Sequence, residues 1–395
     1  LPLLTAWLSA GQQLLDKPLT IQDISGGAGK TAPVMHYHLA LINGYAGFKD
    51  AAALNFRAAI ENPKSPPARV MENLLQFYDS HNAPDILAPL INEYLEANED
   101  NVLQPEGTPV DTVEEGIAEV LFTMGSVMQA ADILQDAVIY LQLALHLQPD
   151  MGMAALSLGD VYTGLQMYNK SSAAYDRIPA ENRHYVKAQL STAANLDRLG
   201  KPKEAIKLLD RLSRRLPQSA DILMGKGDLL RMHSRFPEAV EVYTQILKNL
   251  KTPEAHHWPI LFARGSCLER MGKWEQAEKD LLRALELKPD QPDVLNYLGF
   301  TWLVRGERLQ EARTMVERAL VARPEDPHII DSMGWAYYLL GKYREAEEYV
   351  EKAVDMMPSD PIVNDHLGDI FWRQGRTTEA RFQWERSLTF SPEEK

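Results

Sequence analysis

The chain has almost no cysteine, no long apolar run, and one extended stretch without a positive side chain. Cys267 is the only cysteine in 395 residues. That excludes an internal disulfide framework and any cysteine-built zinc or iron–sulfur site. No run reaches the roughly 18 apolar residues that a membrane-spanning helix requires, so no transmembrane span is expected. Lysine and arginine are absent between Arg69 and Lys170, where 16 acidic residues stand. Positive charge is scarce throughout, with 41 Lys+Arg against 55 Asp+Glu and a net charge of −14. Generic attraction to nucleic acid or to an anionic membrane surface is therefore not expected.

What is present points to a folded chain. Apolar residues make up 45%, too many for a disordered or collagen-like sequence. The negative charge is uneven. Residues 1–150 hold 6 basic and 19 acidic residues, a net of −13, while the other 245 hold 35 and 36, a net of −1. The acidic part reads as a solvated surface or as an electrostatic platform for a basic partner. The first residue, Leu1, is not methionine, and no basic leader region follows. A removed signal or a shortened form is expected from this. Leu1 to Leu8 read as an apolar helix face that upstream structure would cover.

A repeat dominates the sequence. Small residues recur at Ala137, Ser171, Ala205, Ala239, Ala277, Ala312, Ala346 and Ala380, in steps of 34, 34, 34, 38, 35, 34 and 34. Twelve or thirteen positions before each stands another small residue, from Gly125 and Gly159 to Gly334 and Gly368. Seven positions after come Ala144, Ile178, Leu212, Ile246, Ala284, Ala319, Ala353 and Ser387. Small residues at fixed offsets let two antiparallel helices approach closely, and bulky neighbours fill the groove between them. Gly272-Lys273 and Gly341-Lys342 supply turns between helices, and Pro149, Pro217, Pro289, Pro324, Pro358 and Pro392 punctuate the repeat ends.

This pattern is identified as the tetratricopeptide repeat. It predicts an all-α fold, an α-solenoid of stacked antiparallel helix pairs, with a regular array of about eight repeats over 118–395. Residues 1–117 form a divergent helical-hairpin region with one further unit near 33–66, carried by Ala40, Ala52 and Ala59. Helical runs also occur at Val70–Tyr78 and Ile86–Leu95, and the polar segment from Asn98 to Thr112 reads as a loop or hinge. The 38-residue step implies an insertion around Lys248–His257, which lengthens a helix or widens a turn.

In repeats of this type the first helix of each pair lines a concave groove. The corresponding positions are Asp221, Met224, Asp228 and Arg231, then Pro259, Phe262, Ser266 and Glu269. The next repeat supplies Asp293, Asn296, Phe300 and Leu303. His328, Asp331, Trp335 and Tyr338 follow, and then Ile362, Asp365, Asp369 and Trp372. Acids and aromatics predominate, and the cationic residues with which chaperone-binding members hold a peptide carboxylate are largely missing. The candidate partner-binding residues are Asp228, Phe262, Glu269, Asn296, Phe300, Asp331, Trp335, Tyr338, Asp365, Asp369 and Trp372. They fit a protein or peptide partner with apolar anchors and basic flanks.

Other motifs carry less. Gly26-Gly27-Ala28-Gly29-Lys30-Thr31 has the look of a phosphate loop, but Ile24 stands where the spacing demands glycine. His36 with His38, and His256 with His257, miss the spacings of three or four that helical metal ligation favours. Cys267 falls on an apolar stripe and reads as a core thiol. No catalytic constellation emerges, so no enzyme activity and no cofactor are expected.

Four segments exceed the general repeat consensus: Val294 to Gly299, Asp331 to Ala336, Val363 to Asp369, and Glu379 to Trp384. They resemble a group of long tetratricopeptide proteins typical of alphaproteobacteria. That group is similar to the outer-membrane lipoprotein that partners a periplasmic C-terminal processing protease. The resemblance implies an adaptor that gathers protease and substrate. It also implies a periplasmic location with an outer-membrane lipid anchor upstream of Leu1, the cytoplasm being the alternative. A scaffold for polypeptide partners is thus the expected function. The alternative is an assembly protein that self-associates through uncapped solenoid ends, such as the final helix Thr377–Phe390 with Phe382, Trp384 and Phe390.

Overall fold

Capping chemistry sets many of the helix boundaries in the computed structural model, which describes residues 2–25, 33–60, 68–81, 88–97, 110–250 and 252–390. The phosphate-loop-like segment and most of the polar stretch from Asn98 to Thr112 lie outside those residues. All the regular structure described is helical. The first helices are α1 (Pro2–Gly11), α2 (Ile21–Ser25), α3 (Pro33–Tyr45), α4 (Lys49–Ala59), α5 (Ala68–His81) and α6 (Ala88–Ala97). Eight antiparallel pairs follow. They begin with α7 (Val113–Ala130) and α8 (Leu134–Leu147), α9 (Gly152–Gly164) and α10 (Tyr168–Tyr175), and α11 (Tyr185–Arg198) and α12 (Pro202–Arg215). Next come α13 (Ala220–Met232) and α14 (Phe236–Asn249), then α15 (Trp258–Arg270) and α16 (Trp274–Leu287). The last are α17 (Pro292–Arg305) and α18 (Leu309–Ala322), α19 (Pro327–Leu339) and α20 (Tyr343–Met356), and α21 (Pro361–Arg373) and α22 (Thr377–Thr389).

Thr112 and Glu115 form a reciprocal capping box at the start of α7. Asp326 and Asp360 accept backbone N–H bonds at the starts of α19 and α21, each with a proline at the first helical position. All eight turns within the pairs pass through positive φ, at Asp132, Gln166, Gly200, Ser234, Gly272, Gly306, Gly341 and Gly375. Glycine adopts this conformation without steric cost, and five of the eight positions use it. The expected insertion is a widened turn: after Asn249 the chain makes a short 3₁₀ turn, Ala255–His257, before α15.

The repeat offsets become the core. Ala137, Ser171, Ala205, Ala239, Ala277, Ala312, Ala346 and Ala380 are all fully buried. A Cβ on Gly334 would lie 2.4 Å from Val350 and 3.1 Å from the Ala346 carbonyl oxygen, so only glycine lets α19 and α20 pack at this distance.

The chain divides by packing into two compact units, Leu1–Leu209 and Asp210–Lys395, whereas the division at 117/118 follows repeat regularity. In the first unit the apolar face of α1 is covered from within: Trp7 is fully buried, packs 5.6 Å from Tyr45, and occupies the space where Gly116 of α7 has no side chain. The expected upstream cover is therefore not needed for Trp7.

The same unit buries a polar network. Arg69 Nε donates to Glu119 Oε1 at 2.8 Å, and Arg69 and Arg183 both pair with Glu72. Tyr37 donates its hydroxyl to Glu119 Oε2 at 3.0 Å and accepts from Asn73 at 2.8 Å. Glu72 and Glu119 are both fully buried. In the second unit the cores are largely apolar and follow the repeat, with Trp302 and Tyr243 as the largest fully buried side chains described.

Candidate polypeptide-binding surface

The first helices of the second unit carry every candidate residue, and their surroundings separate these into distinct roles. On α13, Asp228 is half-buried, accepts from the Tyr243 hydroxyl at 2.8 Å, and lies 3.5 Å from Arg231. Burial and the Asp228 carboxylate push the Tyr243 phenol well up, so it stays a neutral donor. On α15, Phe262 meets Tyr297 edge-on with centroids 5.6 Å apart. Glu269 accepts from the Tyr297 hydroxyl at 2.9 Å, and burial together with that carboxylate pushes the Tyr297 phenol up as well. On α17, Asn296 is half-buried, and its Oδ1 has no hydrogen-bond partner among the described residues.

Glu269 and Phe300 line an open cavity of about 530 Å³ between α13, the start of α14, α15 and α17. Its other walls are side chains that the sequence reading did not select as partner contacts. Tyr297 supplies a hydroxyl, Arg231 and Arg270 supply charge, and Phe236, Met232 and Val304 supply apolar surface. Met232 and Val304 are 66% and 60% exposed, an apolar mouth at the ends of two first helices. For Met232 the available sequence signal was an apolar residue seven positions before the buried small residue, where other repeats hold Arg270, Arg305 and Arg373, although Leu339 is apolar there too. A cavity of this size is within the range that holds a small molecule, and because it is open to solvent it also admits a protruding side chain of a polypeptide.

A second cluster centres on α19 and α21. Asp331 is 6% exposed and engages His366 Nδ1 through both carboxylate oxygens, at 2.9 and 3.0 Å. Burial disfavours the charged imidazole, but Asp331, with Asp365 and Asp369 nearby, outweighs it and holds His366 above the ordinary histidine range. Trp335 stacks on His366 at 4.0 Å and on Tyr338 at 4.5 Å, and Phe300 lies 6.3 Å from the same imidazole. Asp365 is half-buried on α21, and Asp369 there accepts from Trp384 Nε1 at 3.2 Å.

These placements alter the sequence reading. Asp331 is interior, and Trp335 is half-buried and stacks within the chain. Leu303, at a groove-facing offset, is a core residue with 1% exposure. Trp372 is the aromatic that stands out, 55% exposed and resting against Trp384 at 5.7 Å.

Little here resembles a reactive centre. Burial pushes the Cys267 thiol up to about 11, and Ser266 donates its hydroxyl to the Ala263 carbonyl oxygen at 2.9 Å. Among the described residues no group of three or more His, Cys, Asp or Glu could hold a metal ion. No described helix is long and apolar enough to cross a membrane.

Comparison with known proteins agrees with this geometry. Profiles described as tetratricopeptide repeat match residues 192–252 and 332–394, and a second profile of that description matches 258–291. No curated protein sequence matches. The crystal structure of the Cut9–Hcn1 hetero-tetramer of the APC/C is similar over 99% of this chain and 79% of that one, with 16% identity and a TM-score of 0.52. A tetratricopeptide repeat protein from Parabacteroides merdae covers 70% of this chain and 94% of its own length, with 16% identity and a TM-score of 0.45. MamA from Desulfovibrio magneticus covers 47% and 94%, with 19% identity and a TM-score of 0.36. Three segments, 192–252, 258–291 and 332–394, therefore carry tetratricopeptide repeats, and the paired helices have the solenoid fold class that such repeats build.

Proposed function

We propose that the chain is a non-catalytic scaffold that holds polypeptide segments against the first-helix face of its second unit. The observation that carries this reading is the open cavity beside Tyr297 and Phe300, with an apolar mouth at Met232 and Val304. A partner side chain enters there, and Glu269 and exposed Trp372 offer further contacts along the same set of helices. A photoreactive amino acid in place of Val304, in the native host, tests it. Polypeptide adducts are expected there and not at Val321, which is 79% exposed on a second helix. Equal labelling at the two positions sinks the groove.

The resemblance of the last hundred residues extends this reading to an adaptor for a periplasmic C-terminal processing protease and its substrates. Identifying the adducts by mass spectrometry decides it. If protease and substrates are both missing, the adaptor falls and the scaffold stands. Self-association is the second reading, supported by Phe382 and Leu388, exposed at 58% and 72% on α22. Sedimentation that remains monomeric at high concentration removes it.

A further inference from the structure

The eight repeats provide an internal comparison that singles out the first two. Four residues before the buried small residue, six repeats carry a cation: Lys201, Arg235, Lys273, Arg308, Lys342 and Arg376. The first two carry Ile133 and Met167 instead, and these are 44% and 43% exposed. Six residues after the small residue, every later repeat has arginine, lysine or glutamine, from Arg177 to Arg386. The first repeat has Leu143, 46% exposed, one helical turn beyond Ile139, 55% exposed. Outward positions that are polar elsewhere are thus apolar on α8 and in the turn before α10. That turn lies close to α8, since a Cβ on Gly164 would meet the Leu134 side chain at 3.0 Å.

Acidic side chains flank these residues along the chain. Asp132, Asp136 and Asp150 are exposed, and no ion pair holds them among the described residues. The first cations after Arg69 are exposed but engage local partners. Lys170 sits over the Tyr162 ring, and Arg177 donates to the Leu145 carbonyl oxygen at 3.2 Å. An apolar face costs little to expose when it is small, but its repetition at aligned positions is not explained by packing, because these side chains are half in water.

We propose that Ile133, Ile139, Leu143 and Met167 form a second docking surface, in the first unit, for an amphipathic protein segment whose apolar side chains are bracketed by lysine or arginine. The exposed aspartates attract the basic flanks, and the apolar residues hold the segment once it arrives. The six cation-bearing turns repel the same segment, which confines it to the first two repeats. This surface is separate from the cavity beside Phe300 and does not depend on it.

The test titrates a fluorescent Leu/Lys amphipathic peptide, and its Leu/Glu counterpart, into the full chain. Ile139→Ser with Leu143→Ser should weaken binding of the Leu/Lys peptide about tenfold or more. Val321→Ser, at a still more open position on a second helix, should leave it unchanged. Asp132→Asn with Asp136→Asn should weaken it less and flatten its dependence on salt. Circular dichroism checks that each variant is folded. Should the serine pair fail to fold, the asparagine pair decides, because it removes no apolar contact. The proposal is overturned if the Leu/Glu peptide binds as tightly, or if the decisive variant binds like the unaltered chain. It also falls if sedimentation shows a dimer that the serine pair abolishes, since the face then belongs to a second copy.

Discussion

The two units place their charge in opposite ways. In Leu1–Leu209, Arg69 and Arg183 are directed inward onto Glu72 and Glu119, with Tyr37 and Asn73 completing the network. The unit is poor in cations and spends two of them on its interior, and exposed acids such as Asp132, Asp136 and Asp150 stay without an ion pair among the described residues. In Asp210–Lys395 most ion pairs lie at the rim, such as Arg323 with Asp293 and Arg318 with Asp290. Among the described residues, the pairs with a buried acid are Asp331 with His366 and Asp280 with Arg264. A buried network gains little net stability, because desolvation consumes the attraction, yet it penalises any arrangement that leaves one member alone. Rim pairs do neither. The first unit therefore depends on specific long-range partners, and the second on the regularity of its repeat.

The largest test of that contrast removes one acid from each unit. Glu119→Ala removes one of the two buried carboxylates that Arg69 pairs with and the acceptor of the Tyr37 hydroxyl, and should cost about 3–5 kcal/mol in chemical denaturation. Asp280→Ala frees Arg264, which reaches solvent more easily, and should cost only about 1–2 kcal/mol. Equal losses would break the contrast.

Acid should separate the units next. Burial pushes His38 down to about 4, with Glu119 opposing, so the folded first unit keeps this ring neutral. As pH falls from 6.5 towards 4 the unfolded chain takes up a proton that the folded chain does not, and stability falls by up to about 3 kcal/mol. His366 is shifted the other way. Its contribution is complete below the ordinary histidine value and is lost as pH rises through its raised folded value. Hydrogen exchange on the whole chain between pH 7 and 5 should show α3 losing protection while α19 and α21 hold theirs.

A smaller difference concerns packing. A Cβ on Gly159 would lie 2.2 Å from the Tyr175 ring, whereas on Gly265 the nearest atom, in Leu281, is at 3.1 Å. Gly159→Ala should cost about 1–3 kcal/mol through overpacking. Gly265→Ala should be close to neutral, because alanine's helix preference of about 1 kcal/mol offsets the crowding. The smallest effect should be shared by both units. Gln166→Gly and Ser234→Gly relieve left-handed turns at φ 58° and 56° and should each raise thermal stability by up to about 1 kcal/mol.

Much of the fold was legible because small residues at fixed offsets have one packing solution. Ala40, Ala52 and Ala59 identified the early hairpin α3–α4, and all three are buried. The candidate surface was legible only as a face. Trp335 and Trp372 both stand at groove-facing offsets, one and four residues past the small residue, yet one is stacked on His366 and Tyr338 while the other is mostly exposed. Tyr297 escaped notice because its hydroxyl partner, Glu269, belongs to the preceding repeat.

By itself the sequence determined the repeat, the helix pairing, the turn positions and the lopsided charge. These depend on contacts within about one repeat, which periodicity encodes directly. Only the tertiary structure decided which acids are interior, which aromatic is stacked and which is mostly exposed, and where a cavity opens. Those outcomes depend on pairs such as Arg69 with Glu119 and Asp331 with His366, joined by packing between repeats or across the divergent region. No local pattern marks which member of such a pair will find the other.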